Sequence, residues 1–199
     1  YILGVSSGAG LGAAVAILTG WAMASVFVLP AIAFVAAALT LWIVFALASR
    51  GGRSSVYSLI LSGVMVSSIC SSLLMFAVAV APVDGFHDIV WWMLGNLQPA
   101  SLRLLQVSAV VVAAGCAILW WLAPALNALT LGEETAHHVG VRTRGVIVAA
   151  LGLASAITAA AVGLAGLIGF VGLIVPHMVR NVAGPDHRRL IPLAAVSGG

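Results

Sequence analysis

Residues 28–48 and 56–80 contain no Asp, Glu, Lys, Arg or His. About 20 predominantly apolar residues is the length at which an α-helix crosses the hydrocarbon of a bilayer. Backbone N–H and C=O groups find no water there, so a spanning chain must be helical or close into a barrel. Barrel strands would show as segments of about 10 residues with alternating polarity, and these runs do not alternate. Only 7% of the chain is charged, against about 25% in soluble domains. That is too little to cover a surface facing water. The fold class that follows is all-α: a polytopic helical membrane protein.

Hydropathy predicts spans at 2–20, 28–48, 56–80, 102–122, 146–162 and 167–182, with another beginning near 190, so about seven membrane helices. Arg50 and Arg53 follow the second span, Arg142 and Arg144 the fourth, and Arg180, Arg188 and Arg189 the sixth. Alternation puts these three turns on one side of the membrane, and short Arg-rich loops stay cytoplasmic. Arg103, Asp84, His87 and Asp88 fall on the other side. Membrane orientation therefore accounts for the +3 net charge, and nucleic acid is not an expected partner. Cys70 and Cys116 sit in apolar runs and read as small hydrophobes. The chain opens without an initiator Met and stops inside an apolar run, so it reads as a fragment with one transmembrane domain over 1–199.

Gly4, Gly8 and Gly12 recur every fourth residue, the spacing that lets two membrane helices approach closely. Pro176 removes a backbone bond to Gly172 and predicts a kink near Gly172. The longest polar interval, 126–145, holds a short helical pattern through Glu133, Glu134 and Ala136 that closes at Gly140. A short helix on the cytoplasmic surface is a docking point for a partner. The adjacent His137 and His138 diverge by about 100° on a helix, and no metal site is expected. On the third span Ser58, Ser62, Met65, Ile69, Ser72 and Phe76 share one face. Its serines either bond back to their own helix or, with Met65, line a path for a bulky solute. Trp91 and Trp92 mark an interface belt or a short surface helix.

No acidic residue lies in any predicted span. Ion-coupled secondary transporters usually carry buried carboxylates, so that class is disfavoured. An intramembrane enzyme would need a paired Asp, HExxH or Ser/His arrangement, and the spans contain none.

Several segments together are familiar: ILGVSSGAGLGAAVAI, WWMLGNL, LNALTLGEETAHHVGV and GLIGFVGLIVPHMVRNVAGPDHRRLIPLAAVSGG. In this order they resemble the FecCD-like permease subunits of type II ABC importers for iron-siderophore, haem and cobalamin. The resemblance implies a ten-helix permease in the bacterial inner membrane, working as a homodimer. Its implied partners are two cytoplasmic ATPase subunits and a periplasmic solute-binding protein. It implies no enzyme activity and no cofactor in this subunit, with ATP and Mg used by the ATPase partner.

The same resemblance places the coupling segment at 126–141, with Leu131, Gly132, Glu133, Glu134, Ala136 and Gly140 against the ATPase. The translocation pathway falls on the Ser58–Phe76 face, and the cytoplasmic gate on Ser55, Val56 and Tyr57. Pro176, His177, Arg180, Asp186, His187 and Arg188 are expected to tie the inner ends of the helices. The implied cargo is a metal chelate, haem or iron-siderophore ahead of cobalamin, moved from periplasm to cytoplasm.

Overall fold

A computed structural model describes residues 4–49, 56–97 and 101–198. Their regular structure is helical throughout: α1 (Val5–Leu18), a 3₁₀ turn (Trp21–Met23), α2 (Val28–Ser49), α3 (Val56–Val80), α4 (Val83–Leu94), α5 (Leu102–Leu129), α6 (Glu133–His138), α7 (Thr143–Ala165), α8 (Val171–Ala183) and α9 (His187–Gly198). Among the described residues α2, α3, α5 and α7 are long and apolar enough to cross a membrane, while α1 and α8 are apolar but shorter. Large side chains lie on the outside, with Trp42 68% and Trp121 79% exposed. In water that surface would be untenable; in lipid it is the expected exterior of a multi-pass membrane protein.

The chain packs as two units, one of Tyr1–Ala109 with Thr158–Ile168, the other of Val110–Ile157 with Gly169–Gly199. The first is built around α1, whose small residues let its neighbours come close. A Cβ on Gly8 would overlap Thr40 Oγ1, and one on Gly12 would overlap the Ala36 methyl, so α2 runs antiparallel to α1 in near backbone contact. On another side Gly4 meets Gly63 O and Ser67, and Ser7 Oγ lies 3.1 Å from Ser67 Oγ, which sets α3 parallel to α1. The expectation of tight packing at Gly4, Gly8 and Gly12 is met. Ala14, Leu74, Ala77 and Ile89 form a buried cluster that seats α4 across the ends of α1 and α3.

Where α7 ends, within this unit, the backbone turns sharply. Gly166 has φ +77°, and a Cβ there would overlap the carbonyl oxygen of Trp92. The Asn96 amide donates to Ala165 O at 2.8 Å. The WWMLGNL segment thus docks by backbone on the end of α7.

The largest departures from the hydropathy reading are at the end of α5 and the start of α8. α5 runs to Leu129 rather than 122, passing through Pro124. Residues 166–170 are not helical, so α8 begins at Val171 rather than 167, after Phe170 in a left-handed conformation with φ 67°. α8 then continues through Pro176. The carbonyl that loses its donor to this proline, Gly172 O, lies in the helix's first turn, directly after the non-helical residues 166–170.

Candidate functional site

The segment after α5 is held by its own backbone. Leu131 N donates to Ala128 O and Gly132 N to Leu129 O, both at 3.1 Å, so only a tight turn separates α5 from α6. Gly132, at φ +110°, has the backbone freedom this turn needs. At the far end Gly140 adopts φ +86°, its N–H bonds His137 O, and Val141 N–H bonds Ala136 O, each at 3.0 Å. This is the paired Schellman pattern of a glycine-terminated helix, and it places Gly140 one residue past the C-cap, as its position in sequence suggests. Ala136 is fully buried, whereas Leu131, Glu134, His137, His138 and Val139 are exposed. The segment therefore rests on a single small side chain and presents apolar and acidic groups outward.

The Asp186–Arg188 turn is fastened to α5. Asn127 Nδ2 donates to Asp186 Oδ1 at 2.7 Å, and Asn127 Oδ1 accepts the His187 backbone N–H at 3.0 Å. That oxygen is also 2.6 Å from His187 Nδ1. Because the amide N–H₂ faces the carboxylate, Oδ1 is an acceptor and His187 must carry its proton on Nδ1. Asp186 Oδ1 also accepts Arg188 N–H at 2.9 Å, capping the first turn of α9.

Two turns earlier on α5, Trp120 Nε1 donates to Arg188 O at 3.1 Å. Inside α9 that carbonyl would normally be met by the N–H of residue 192, but Pro192 has none. The indole supplies the missing donor.

The expected pathway face divides. Ser62 is buried and Ser58 Oγ donates to Ala48 O at 3.2 Å, so both belong to the packed side of α3. Met65, Ile69, Ser72 and Phe76 lie on the exposed side, with Ser72 Oγ bonded back to Ser68 O at 2.9 Å. Of the expected gate, Ser55 lies outside the described residues, Val56 opens α3, and Tyr57 is 84% exposed. Pro176, His177 and Arg180 sit on α8, with the side chains of His177 and Arg180 exposed and outside the Asn127 network.

The sequence profile of the FecCD transport family matches residues 1–199. The chain belongs to the FecCD transport family. This FecCD chain is 41% identical over 201 residues to the cobalamin import system permease protein BtuC of Halobacterium salinarum, covering 100% of itself and 53% of that protein. It is 32% identical over 200 residues to the hemin transport system permease protein HmuU of Yersinia pestis, covering 99% of itself and 60% of the relative. Its fold matches a solved structure assigned to the metal-chelate type of ABC transporters in an inward-facing conformation. The TM-score is 0.90 at 29% identity, with 100% of this chain and 63% of that one covered. The FecCD chain thus spans between half and two thirds of the length of these proteins.

Sequence reasoning singled out Asp186, His187 and Arg188 but missed the two residues of α5 that hold them. Asn127 gave no periodic signal. Trp120 was findable, since a proline inside a helix frees the carbonyl four residues earlier and calls for a donor.

The network also sets a pH response in this FecCD chain. Hydrogen bonds from Arg188 N–H and Asn127 hold the Asp186 carboxyl below its ordinary range, with Arg189 and Arg188 adding to the effect. Partial burial lowers His187, as does the nearby Arg180, against a smaller opposing pull from Asp186. Both groups have depressed folded values. Each therefore contributes stability that is complete above its unfolded pKa and lost as the pH falls through the folded one. His187 begins to lose its share below about 6.5 and Asp186 below about 3.9. Thermal stability in micelles is expected to drop between pH 7.5 and 5, and His187→Gln to flatten that slope; a slope unchanged by the substitution would assign the loss to other groups.

Proposed function

We propose that this chain is a membrane-spanning part of a permease in an ATP-driven importer that carries a bulky metal chelate across the cytoplasmic membrane into the cell. The observation that carries the reading is α6: a short helix on one buried alanine, its other described side chains exposed, between two membrane-length helices of a FecCD-family chain. A segment so placed suits a docking surface for a motor subunit. ATP binding and hydrolysis there would shift the permease between outward- and inward-open states through differential binding.

A second copy of the chain would complete the pathway. The exposed Met65, Ile69, Ser72 and Phe76 of α3 offer its wall, polar enough to pass a chelate and without a charge to trap it. An external solute-binding protein would deliver the cargo, and ATP and Mg would be bound by the partner ATPase. All five acidic residues, Asp84, Asp88, Glu133, Glu134 and Asp186, lie outside the four membrane-length helices, which supports a motor-driven over an ion-driven carrier. Cobalamin and haem are the cargo classes carried by the relatives' names, and they are the chelates to test.

Reconstituted with its ATPase and binding protein, the permease is expected to take up one of these chelates only with ATP. Replacing Glu133 and Glu134 together by Ala should lower the chelate moved per ATP hydrolysed at least tenfold. Uptake driven by a proton gradient in the absence of any ATPase would overturn the assignment.

A further inference from the structure

We propose that Asn127 is the joint through which α6 moves α9, a positioning role that rests on the reading of α6 as the ATPase-docking element. The path from α6 back to Asn127 is short and stiff. Thr130 Oγ1 donates to Asn127 O at 2.7 Å, and the backbone bonds of Leu131 and Gly132 close the remaining turn. From Asn127 the path crosses to another helix through three polar contacts, to Asp186 Oδ1, His187 N–H and His187 Nδ1. Both lone pairs of the amide oxygen are engaged, so the side chain is held in one orientation.

What makes this a joint rather than a rivet is Pro124. Trp120 and Asn127 grip the same short turn, Asp186 to Arg188, from two points on α5, and Pro124 stands between them. Proline lacks the N–H that would have bonded the Trp120 carbonyl. The last turn of α5 can therefore tilt against the body of the helix with one fewer bond to break. A push on α6 that tilts this turn changes the separation of the two grips. The first turn of α9 then follows Asn127 or gives up its bonds. Apolar faces in lipid can slide past one another, whereas a directional three-contact amide transmits the displacement.

The test uses the assembled transporter in liposomes, with cobalamin and haem as cargo. Asn127→Asp sets a carboxylate against Asp186. Adding Asp186→Asn restores a donor–acceptor pair with its sense reversed, while the carboxylate oxygens introduced at position 127 can still accept from His187. The single variant is expected to move at least fivefold less chelate per ATP, and the amides of 187–190 to exchange hydrogen at least tenfold faster. The double variant should return both quantities to within twofold of the parent.

The proposal is overturned if Asn127→Asp leaves coupling unchanged, or if the double variant regains slow exchange without regaining coupling, because the tie would then be purely structural. A parental assembly that moves neither cargo would exclude cobalamin and haem as the chelates carried, and the exchange measurement would still decide the tie.

Discussion

Gly166→Ala is expected to destabilise the protein by about 3–6 kcal/mol, a drop of roughly 10 °C or more in the thermal midpoint in micelles. Two independent costs add. A left-handed backbone costs an L-residue about 1–2 kcal/mol, and Gly166 sits at φ +77°. The new methyl would also enter the Trp92 carbonyl oxygen and come within 2.9 Å of Gly95 Cα. Both obstacles are backbone, so no side chain can swing aside. Overpacking of this kind costs about 1–3 kcal/mol. Moving the α4 end away would also stretch the Asn96–Ala165 bond, which has a net worth of about 1 kcal/mol. Gly152→Ala in the middle of α7, the helix that Gly166 follows, is the control: nothing described lies within 4 Å of its Cβ position. There the loss of backbone freedom in the unfolded chain makes alanine neutral to mildly stabilising, by about 0.5–1 kcal/mol. Equal midpoints for the two variants would mean that α7 does not end in the left-handed turn described.

The contrast shows what could be read from sequence and what could not. The long helices were legible because the thickness of hydrocarbon sets their length directly, and α2 and α3 fall within a residue of the expected limits. The end of α5 was not, because hydropathy measures how much of a helix lies in lipid rather than where it stops, and the helix continues through Pro124 to Leu129. Nor was the side of α3 that packs. These helices are apolar all round, so periodicity does not separate a neighbour from lipid, and Ser62 turned inward while Met65 turned outward. At the candidate site the glycine at 140 announced its turn, because a left-handed cap has few other residues to choose from. Asn127 stayed hidden, since its partners lie 59 and 60 residues further along the chain and pairing at that distance leaves no local pattern.

Gly8→Ala should cost about 2–3 kcal/mol, and the clash behind that cost should be relieved by a second change, at Thr40 on the neighbouring helix. The α1–α2 contact has no room for a methyl: it would overlap Thr40 Oγ1 and stand 2.7 Å from Thr40 Cβ. Thr40 cannot easily rotate clear, because its hydroxyl donates to Ala36 O at 2.8 Å within α2. In lipid no hydrophobic force drives two apolar helices together, so their association depends on close contact of small residues and the dispersion it allows. Pushing the axes apart to admit one methyl weakens contacts along the whole seam, including Gly12 against Ala36. Thr40→Gly alone should cost about 1 kcal/mol for a glycine inside a helix, besides the lost packing. In Gly8→Ala/Thr40→Gly the new methyl enters part of the space that the Thr40 side chain vacates. The double variant should therefore lose less than the sum of the single changes, with a coupling of about 1–3 kcal/mol. Strict additivity in this cycle would mean that Gly8 does not face Thr40, and that α1 meets α2 along some other row of residues.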